Sequence, residues 1–249
     1  METIGIMGAM PEEVQGIIDL MTQVETREIG KRIYHSGFIN NKKCVVVFSR
    51  WGKVAAASTA STLIHIFGVN EIWFTGVAGA INEKVKIGDI VIGEKLFQHD
   101  MDARPLINQF EIPLLNLSYF EMQEERKKSV FNKINDAVKT GVFFEEIEIK
   151  TLQEFGIEKI DIHLGSIASG DQFFSTNQQK NKLSNLLPDV LCVEMEGSAV
   201  AQVCYENEIP FTIIRTISDA ADNCSPLDFP RFVQQVTKAY TTAMVKSLL

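Results

Sequence analysis

Leu191-Cys192-Val193-Glu194-Met195-Glu196-Gly197-Ser198-Ala199-Val200-Ala201 is the stretch whose reading decides the fold. Val190 to Val193 is a short apolar run of the kind carried by buried strands. Gly197 then opens a small-residue helix that reaches about Glu206. A strand handing over directly to a helix is the repeating step of α/β proteins. Two carboxylates, Glu194 and Glu196, sit at the junction. Burying an ionised acid without a partner costs several kcal/mol, and open α/β sheets bind ligands beyond the carboxyl ends of their strands. The pair therefore marks a site or, more simply, two acids that cap the helix and face water.

Downstream, Phe211-Thr212-Ile213-Ile214-Arg215-Thr216-Ile217-Ser218-Asp219 is a nearly continuous apolar strand with Arg215 inside it and Asp219 at its end. An arginine within a buried strand needs an acid or a ligand. Upstream, residues 162–168 read as a strand that ends in Ser169-Gly170-Asp171-Gln172-Phe173-Phe174. Adjacent aromatics after a glycine turn either fill the core or present a ring to a planar ligand.

Toward the amino end, Thr3 to Gly8 is a strand, and Ala9-Met10-Pro11-Glu12-Glu13-Val14 starts a helix, with Pro11 and the acids suited to its first turn. Its glycines do not form G-x-G-x-x-G, and acids there repel a pyrophosphate, so a dinucleotide site is excluded. Residues 32–38 and 43–48 form a hairpin through Asn40-Asn41. Ser49-Arg50-Trp51-Gly52-Lys53 turns into a helix over 54–67, with Trp51 either packed or walling a pocket. A strand at 71–74 runs into a glycine turn at 75–80, which lacks the lysine of a P-loop. A further strand follows at 88–93.

His99-Asp100-Met101-Asp102 carries metal-ligand side chains, but without a second histidine cluster local hydrogen bonding is the expectation. Residues 103–116, with Pro105 and Pro113, are irregular and suit a lid or an interface loop. A polar helix over 121–139 and a second helical segment ending near Phe155-Gly156 come next. Pro226 opens the last long helix, with Phe229, Phe232, Val233, Val236 and Tyr240 on one side. No linker composition or repeat interrupts the chain, so 1–249 is expected to be a single domain.

Net charge bounds the partners. Lys+Arg number 24 against 32 Asp+Glu, giving −8 over 249 residues, which argues against nucleic acid or an anionic membrane surface. No apolar run approaches the ~18 residues of a membrane span, and residues 1–5 lack the basic start of a secretion signal. Cys44, Cys192, Cys204 and Cys224 show no C-x-x-C spacing and read as reduced thiols of a cytoplasmic protein.

Gly-Ala-Met-Pro-Glu-Glu-Val, Gly-Lys-Val-Ala-Ala-Ala, Ser-Gly-Asp-Gln-Phe, Val-Glu-Met-Glu-Gly and Arg-Thr-Ile-Ser-Asp occur in this order between residues 8 and 219. Together they resemble the 5′-methylthioadenosine/S-adenosylhomocysteine nucleosidases of the nucleoside phosphorylase superfamily. The resemblance implies a three-layer α/β/α sandwich around a central mixed sheet. It also implies a homodimer and cleavage of the bond between adenine N9 and ribose C1′ by water, with no metal or cofactor. The substrates implied are 5′-methylthioadenosine, S-adenosylhomocysteine and 5′-deoxyadenosine, in methionine salvage and methyl-cycle recycling.

Breaking an N-glycosidic bond builds positive charge on the sugar and negative charge on the base, so it calls for an acid at the base and a group that readies water. On the family pattern Asp219 protonates adenine N7, Glu13 orients the water, and Glu196 holds the ribose hydroxyls. Met10 and Met195 lie along the ribose, Phe173 stacks on adenine, and the Phe174 backbone meets the base edge. Arg215 and Ser218 order the carboxylates, Glu194 among them, while Phe229 comes from the partner subunit to cover the 5′ tail beside Trp51. Val77 departs from the family's serine, which leaves the water to Glu13, Glu196 and Arg215. Arg50-Trp51 is bulkier than the usual small pair and bears on the width of the 5′ pocket. Two rival readings stand beside it: hydrolysis of 6-amino-6-deoxyfutalosine in menaquinone synthesis, which would show the same motifs, and phosphorolysis by a purine nucleoside phosphorylase of the same superfamily. Phosphorolysis needs cations around a phosphate, whereas on the superfamily pattern Phe74 stands in the strand where such enzymes carry an arginine, Val77 replaces a phosphate-binding serine, and Glu13 would repel the anion.

Overall fold

A computed structural model describes residues 2–145 and 147–249; Met1, the first residue of the stretch read for a secretion signal, lies outside them. In chain order the first elements are β1 (Thr3–Gly8), α1 (Pro11–Asp19), β2 (Thr22–Ile29), β3 (Arg32–Ile39), β4 (Lys42–Phe48), α2 (Lys53–Phe67) and β5 (Glu71–Ala80). Next come β6 (Ile90–Gln98), β7 (Phe120–Glu121), α3 (Glu124–Thr140), α4 (Val142–Glu145), α5 (Ile149–Glu154) and β8 (Ile162–Ser169). The chain ends with α6 (Asn177–Leu186), β9 (Val190–Glu194), α7 (Gly197–Glu206), β10 (Phe211–Asp219), α8 (Ser225–Phe232), a π-helical turn (Val233–Thr237) and α9 (Lys238–Leu248).

Among the described residues the strands form one mixed ten-stranded sheet in the order β10-β6-β8-β9-β5-β1-β4-β3-β2, with β7 beside β6. β1, buried along its length, pairs parallel with β4 and β5. β10 pairs with both β5 and β6, so β5, β10, β6, β8 and β9 close on themselves. The closure brings the ends of β5, β9 and β10 together, since Gly79 is the partner of both Val193 and Asp219. Helices cover both faces. α1 packs on α9, close enough that a Cβ on Gly16 would strike Thr242 Oγ1 at 2.0 Å, while α2 packs on α7. The fold is α/β around a mixed sheet, as the strand-to-helix junction at Gly197 implied.

One expectation is corrected. Residues 75–80 are not a turn: β5 continues to Ala80, and its glycines mark close approaches. A Cβ on Gly76 would lie 2.5 Å from Glu13 Oε1, and one on Gly79 would lie 3.0 Å from Asp219 Oδ1. The last long helix is present as expected, its backbone right-handed throughout, with a π-helical turn at 233–237 between α8 and α9. β2, for which the sequence shows no hydrophobic period, is an almost wholly exposed edge strand of mostly charged and polar residues, attached through Gly30-Lys31 at φ 57° and 59°. The Asn40-Asn41 hairpin is present, with φ 48° and 61°.

Cys44, Cys192 and Cys204 are buried free thiols, and Cys224 is an exposed one. Among the described residues no helix is long and apolar enough to cross a membrane.

Candidate active site

Glu13 stands at the third position of α1, where a helix has backbone N–H groups without partners. Its Oε2 accepts from Ala9 N and from Met10 N, the latter at 3.0 Å, and its Oε1 accepts from Val77 N at 3.1 Å. The side chain is buried, and burial lifts its pKa to about 7 against the opposing pull of Arg215 and the three N–H donors. A carboxyl poised near neutrality in a cleft has the properties of a general base.

At the β9–α7 junction Glu194 is buried and fully engaged. It accepts from Glu196 N at 3.1 Å, from Gly197 N at 2.8 and 3.0 Å, and from Ser169 Oγ. Arg215 supplies two more bonds, Nη2 at 2.6 Å and Nε at 3.2 Å. The arginine lies over Phe74, 4.2 Å from its ring centre, and donates to the Phe74 and Ile214 carbonyls at 3.0 Å. The capping half of the simple reading therefore holds for Glu194, whereas the water-facing half does not.

Glu196 is also buried, and its Oε1 accepts from Gly52 N at 2.7 Å. Burial first, and then the neighbouring Glu194 charge, raise its pKa well above the usual carboxylate range. A carboxyl whose folded pKa is raised is stabilised relative to the unfolded chain while both are protonated, and that advantage is lost as pH climbs through the folded value. Glu196→Gln, which mimics the protonated acid and keeps an acceptor for Gly52 N–H, should melt like the wild type at pH 5. At pH 9 it should melt higher by a few degrees, at roughly 2–4 °C per kcal/mol for a chain of this size. Calorimetry at the two pH values checks this; equal melting at pH 9 would mean the buried charge carries no cost.

Asp219 follows a bulge in β10. Ser218 Oγ donates to its Oδ2 at 2.8 Å, and Ala221 N to its Oδ1 at 2.9 Å. Burial raises its pKa, so the acid is held nearer to its neutral form.

One cavity gathers Glu13, Glu196 and Asp219 with Met10, Trp51, Val77, Phe173, Glu194, Met195, Ser218 and Phe229. Gly76 and Gly79, which mark the approaches of Glu13 and Asp219, lie roughly 10 Å apart along β5 at about 3.3 Å per residue. At the mouth, Phe229 meets Phe173 edge-on at 5.4 Å and Trp51 at 6.3 Å. No lysine, arginine or histidine lines the cavity among the described residues; Arg215 sits behind Glu194.

One placement differs from expectation. Phe229, expected across a subunit interface, lines the cavity of its own chain, because α8 begins only a few residues beyond Asp219 and turns back over the opening. The Phe174 ring is buried edge-on against His99 at 5.2 Å, which leaves only its backbone for the base-edge role expected of it. In the His99–Asp102 run, Asp100 binds Lys53 Nζ at 2.6 Å and Asp102 binds Arg104, the local bonding expected there. Ser169, which bonds Glu194 and receives Ser198 N at 2.8 Å, and Gly52 are residues of the site that side-chain patterns did not signal. A backbone donor leaves no mark on the sequence, and a serine after a strand is common.

Fold and cavity together define an α/β protein with clustered, elevated carboxyl groups at the meeting point of three strands. Residues 3–249 match the phosphorylase superfamily model, and the chain belongs to that family. It is 32% identical over 251 residues to the aminodeoxyfutalosine nucleosidase of Helicobacter pylori strain J99, covering 100% of this chain and 99% of that protein. It is 29% identical over 233 residues to the 5′-methylthioadenosine/S-adenosylhomocysteine nucleosidase of Staphylococcus aureus strain JH9, covering 93% and 92%. The native futalosine hydrolase structure of Helicobacter pylori strain 26695 superposes with a TM-score of 0.84 at 30% identity, covering 99% and 97%.

Proposed function

We propose that the chain is a nucleosidase that uses water to cleave the N-glycosidic bond of 5′-methylthioadenosine and S-adenosylhomocysteine, releasing adenine and the 5-substituted ribose. The observation that carries this reading is the convergence of Glu13, Glu196 and Asp219 on one cavity that no cationic side chain lines among the described residues. Such a lining favours a sugar that becomes positive and disfavours phosphate as the nucleophile. Asp219 delivers a proton to adenine N7, Glu13 orients and deprotonates water, and Glu196 holds the ribose hydroxyls. Phe173 and Phe229 cover the base and the 5′ tail, and Met10 and Met195 lie along the sugar. The Arg215–Glu194 pair is the support behind them.

A second reading, 6-amino-6-deoxyfutalosine as substrate, is favoured by the aminodeoxyfutalosine nucleosidase relative. Trp51, 57% exposed at the cavity mouth, is the side chain that a longer 5′ substituent would meet. Both readings use the same three acids. A homodimer with one domain per chain is part of the proposal, supported by the exposed apolar side chains of Trp51, which lines the cavity, and of Val54 and Leu227, which lie near Trp51 and Phe229 in sequence. A reducing, cytoplasmic setting is supported by the free cysteines.

Purified protein incubated with 5′-methylthioadenosine should release adenine and free methylthioribose at the same rate with and without phosphate. A sugar 1-phosphate, or a rate that requires phosphate, would replace hydrolysis with phosphorolysis. Competition between 5′-methylthioadenosine and 6-amino-6-deoxyfutalosine, compared by kcat/KM, separates the two substrate readings.

A further inference from the structure

Ser169-Gly170-Asp171-Gln172-Phe173 gives Ser169 to Glu194 and Phe173 to the cavity mouth, whereas Asp171 is bound elsewhere. Asp171 Oδ1 accepts from Lys53 N at 2.7 Å, and Asp171 N donates to Asp100 Oδ2 at 3.0 Å. Lys53 Nζ closes the circuit, 2.6 Å from Asp100 Oδ1 and 3.1 Å from Gln98 Oε1. Three otherwise separate pieces are thus tied: the 50–53 turn, the end of β6 and the loop after β8. The turn needs holding, because Arg50 and Gly52 have φ of 75° and 93°, a region side chains disfavour. Asp171 also closes over Gly52, whose added Cβ would lie 3.0 Å from Oδ1. Gly52 N–H, next to the tethered Lys53 N–H, is the group that donates to Glu196.

We propose that Asp171 is a positioning residue of the hydrolytic site: by holding Lys53 N–H it fixes the 50–53 turn and aims Gly52 N–H at Glu196. The inference rests on the reading that Glu196, as a carboxylate, holds the ribose hydroxyls. Glu194 from β9 and Glu13 from α1 oppose the ionisation of Glu196, and Arg215 from β10 favours it. Arg215 is already bound to Glu194, so the 50–53 turn supplies the hydrogen bond that offsets burial. A displaced turn removes that bond and makes Glu196 harder to ionise.

Asp171→Ala should therefore move the acid-side limb of kcat/KM to higher pH by on the order of one unit, about a tenfold loss near pH 7 with a smaller loss in alkali. Asp171→Asn keeps an Oδ1 acceptor for Lys53 N–H and should return the limb close to its original position. A limb that stays in place in Asp171→Ala, or that Asp171→Asn does not restore, overturns the proposal. Should Asp171→Ala fail to fold, Asp100→Asn weakens the same tether and must displace the limb in the same direction; no displacement overturns the proposal there too. Glu196→Ala, run alongside, keeps the two readings apart. Wild-type turnover in that variant removes the ribose role of Glu196, whereas a slow Glu196→Ala with an unmoved Asp171→Ala limb removes the positioning role alone.

Discussion

Asp219→Asn is expected to fold, to bind an unreactive adenine nucleoside analogue, and to lose about 10³–10⁴-fold in kcat, the upper range for removal of a positioned general acid. The substitution is nearly isosteric. The amide oxygen can still accept from Ala221 N–H, and Ser218 Oγ can rotate to accept from the amide nitrogen. What the amide cannot do is deliver a proton to a departing purine. Burial raises the pKa of Asp219 so that the proton is retained further toward neutral pH, and activity should fall on the alkaline side as that proton is lost. Single-turnover assays, with calorimetry to confirm the fold, make the measurement. A variant that keeps more than a tenth of the wild-type rate would reject Asp219 as the acid.

Glu13→Gln should cost a comparable 10²–10⁴-fold in kcat, to order of magnitude about what a general base contributes, and also change the shape of the pH profile. As a base Glu13 acts when ionised, and burial sets its pKa at about 7, so wild-type kcat/KM should decline as pH falls below that value. Glu196, also raised and also needed as an anion, steepens the same acid limb toward a slope of two. Removing the Glu13 titration should reduce that slope by one. Near-normal kcat, or an unchanged slope, would take Glu13 out of the mechanism. The amide introduced by this substitution also faces three backbone N–H donors with a single oxygen, so some loss of stability is expected alongside the loss of rate. A melting curve separates the two effects.

Much of this arrangement was legible along the chain. Period and punctuation marked β1, β4, β8, β9 and β10, because each holds a buried stretch that reads as an apolar run bounded by turn residues. The acids were conspicuous because carboxylates beside such runs need an explanation. β2 escaped because an exposed edge strand buries nothing and so leaves no hydrophobic period. The strand character of Thr75–Ala80 escaped because its glycines copy turn chemistry, while their reason lies in Glu13 and Asp219, far away in sequence.

The chain order alone therefore determined the class of fold and the inventory of acids, since both follow from local residue type and spacing. Which acid does what was decided only in three dimensions. Glu194 and Glu196 are two residues apart, yet the first is consumed by Arg215, Ser169 and the helix amides, and the second by a single N–H from residue 52. The placement of Phe229 over its own cavity is likewise tertiary. Burial, and the identity of the donors that meet a carboxylate, are properties of distant segments brought into contact, and they set both its charge and its freedom to touch a substrate.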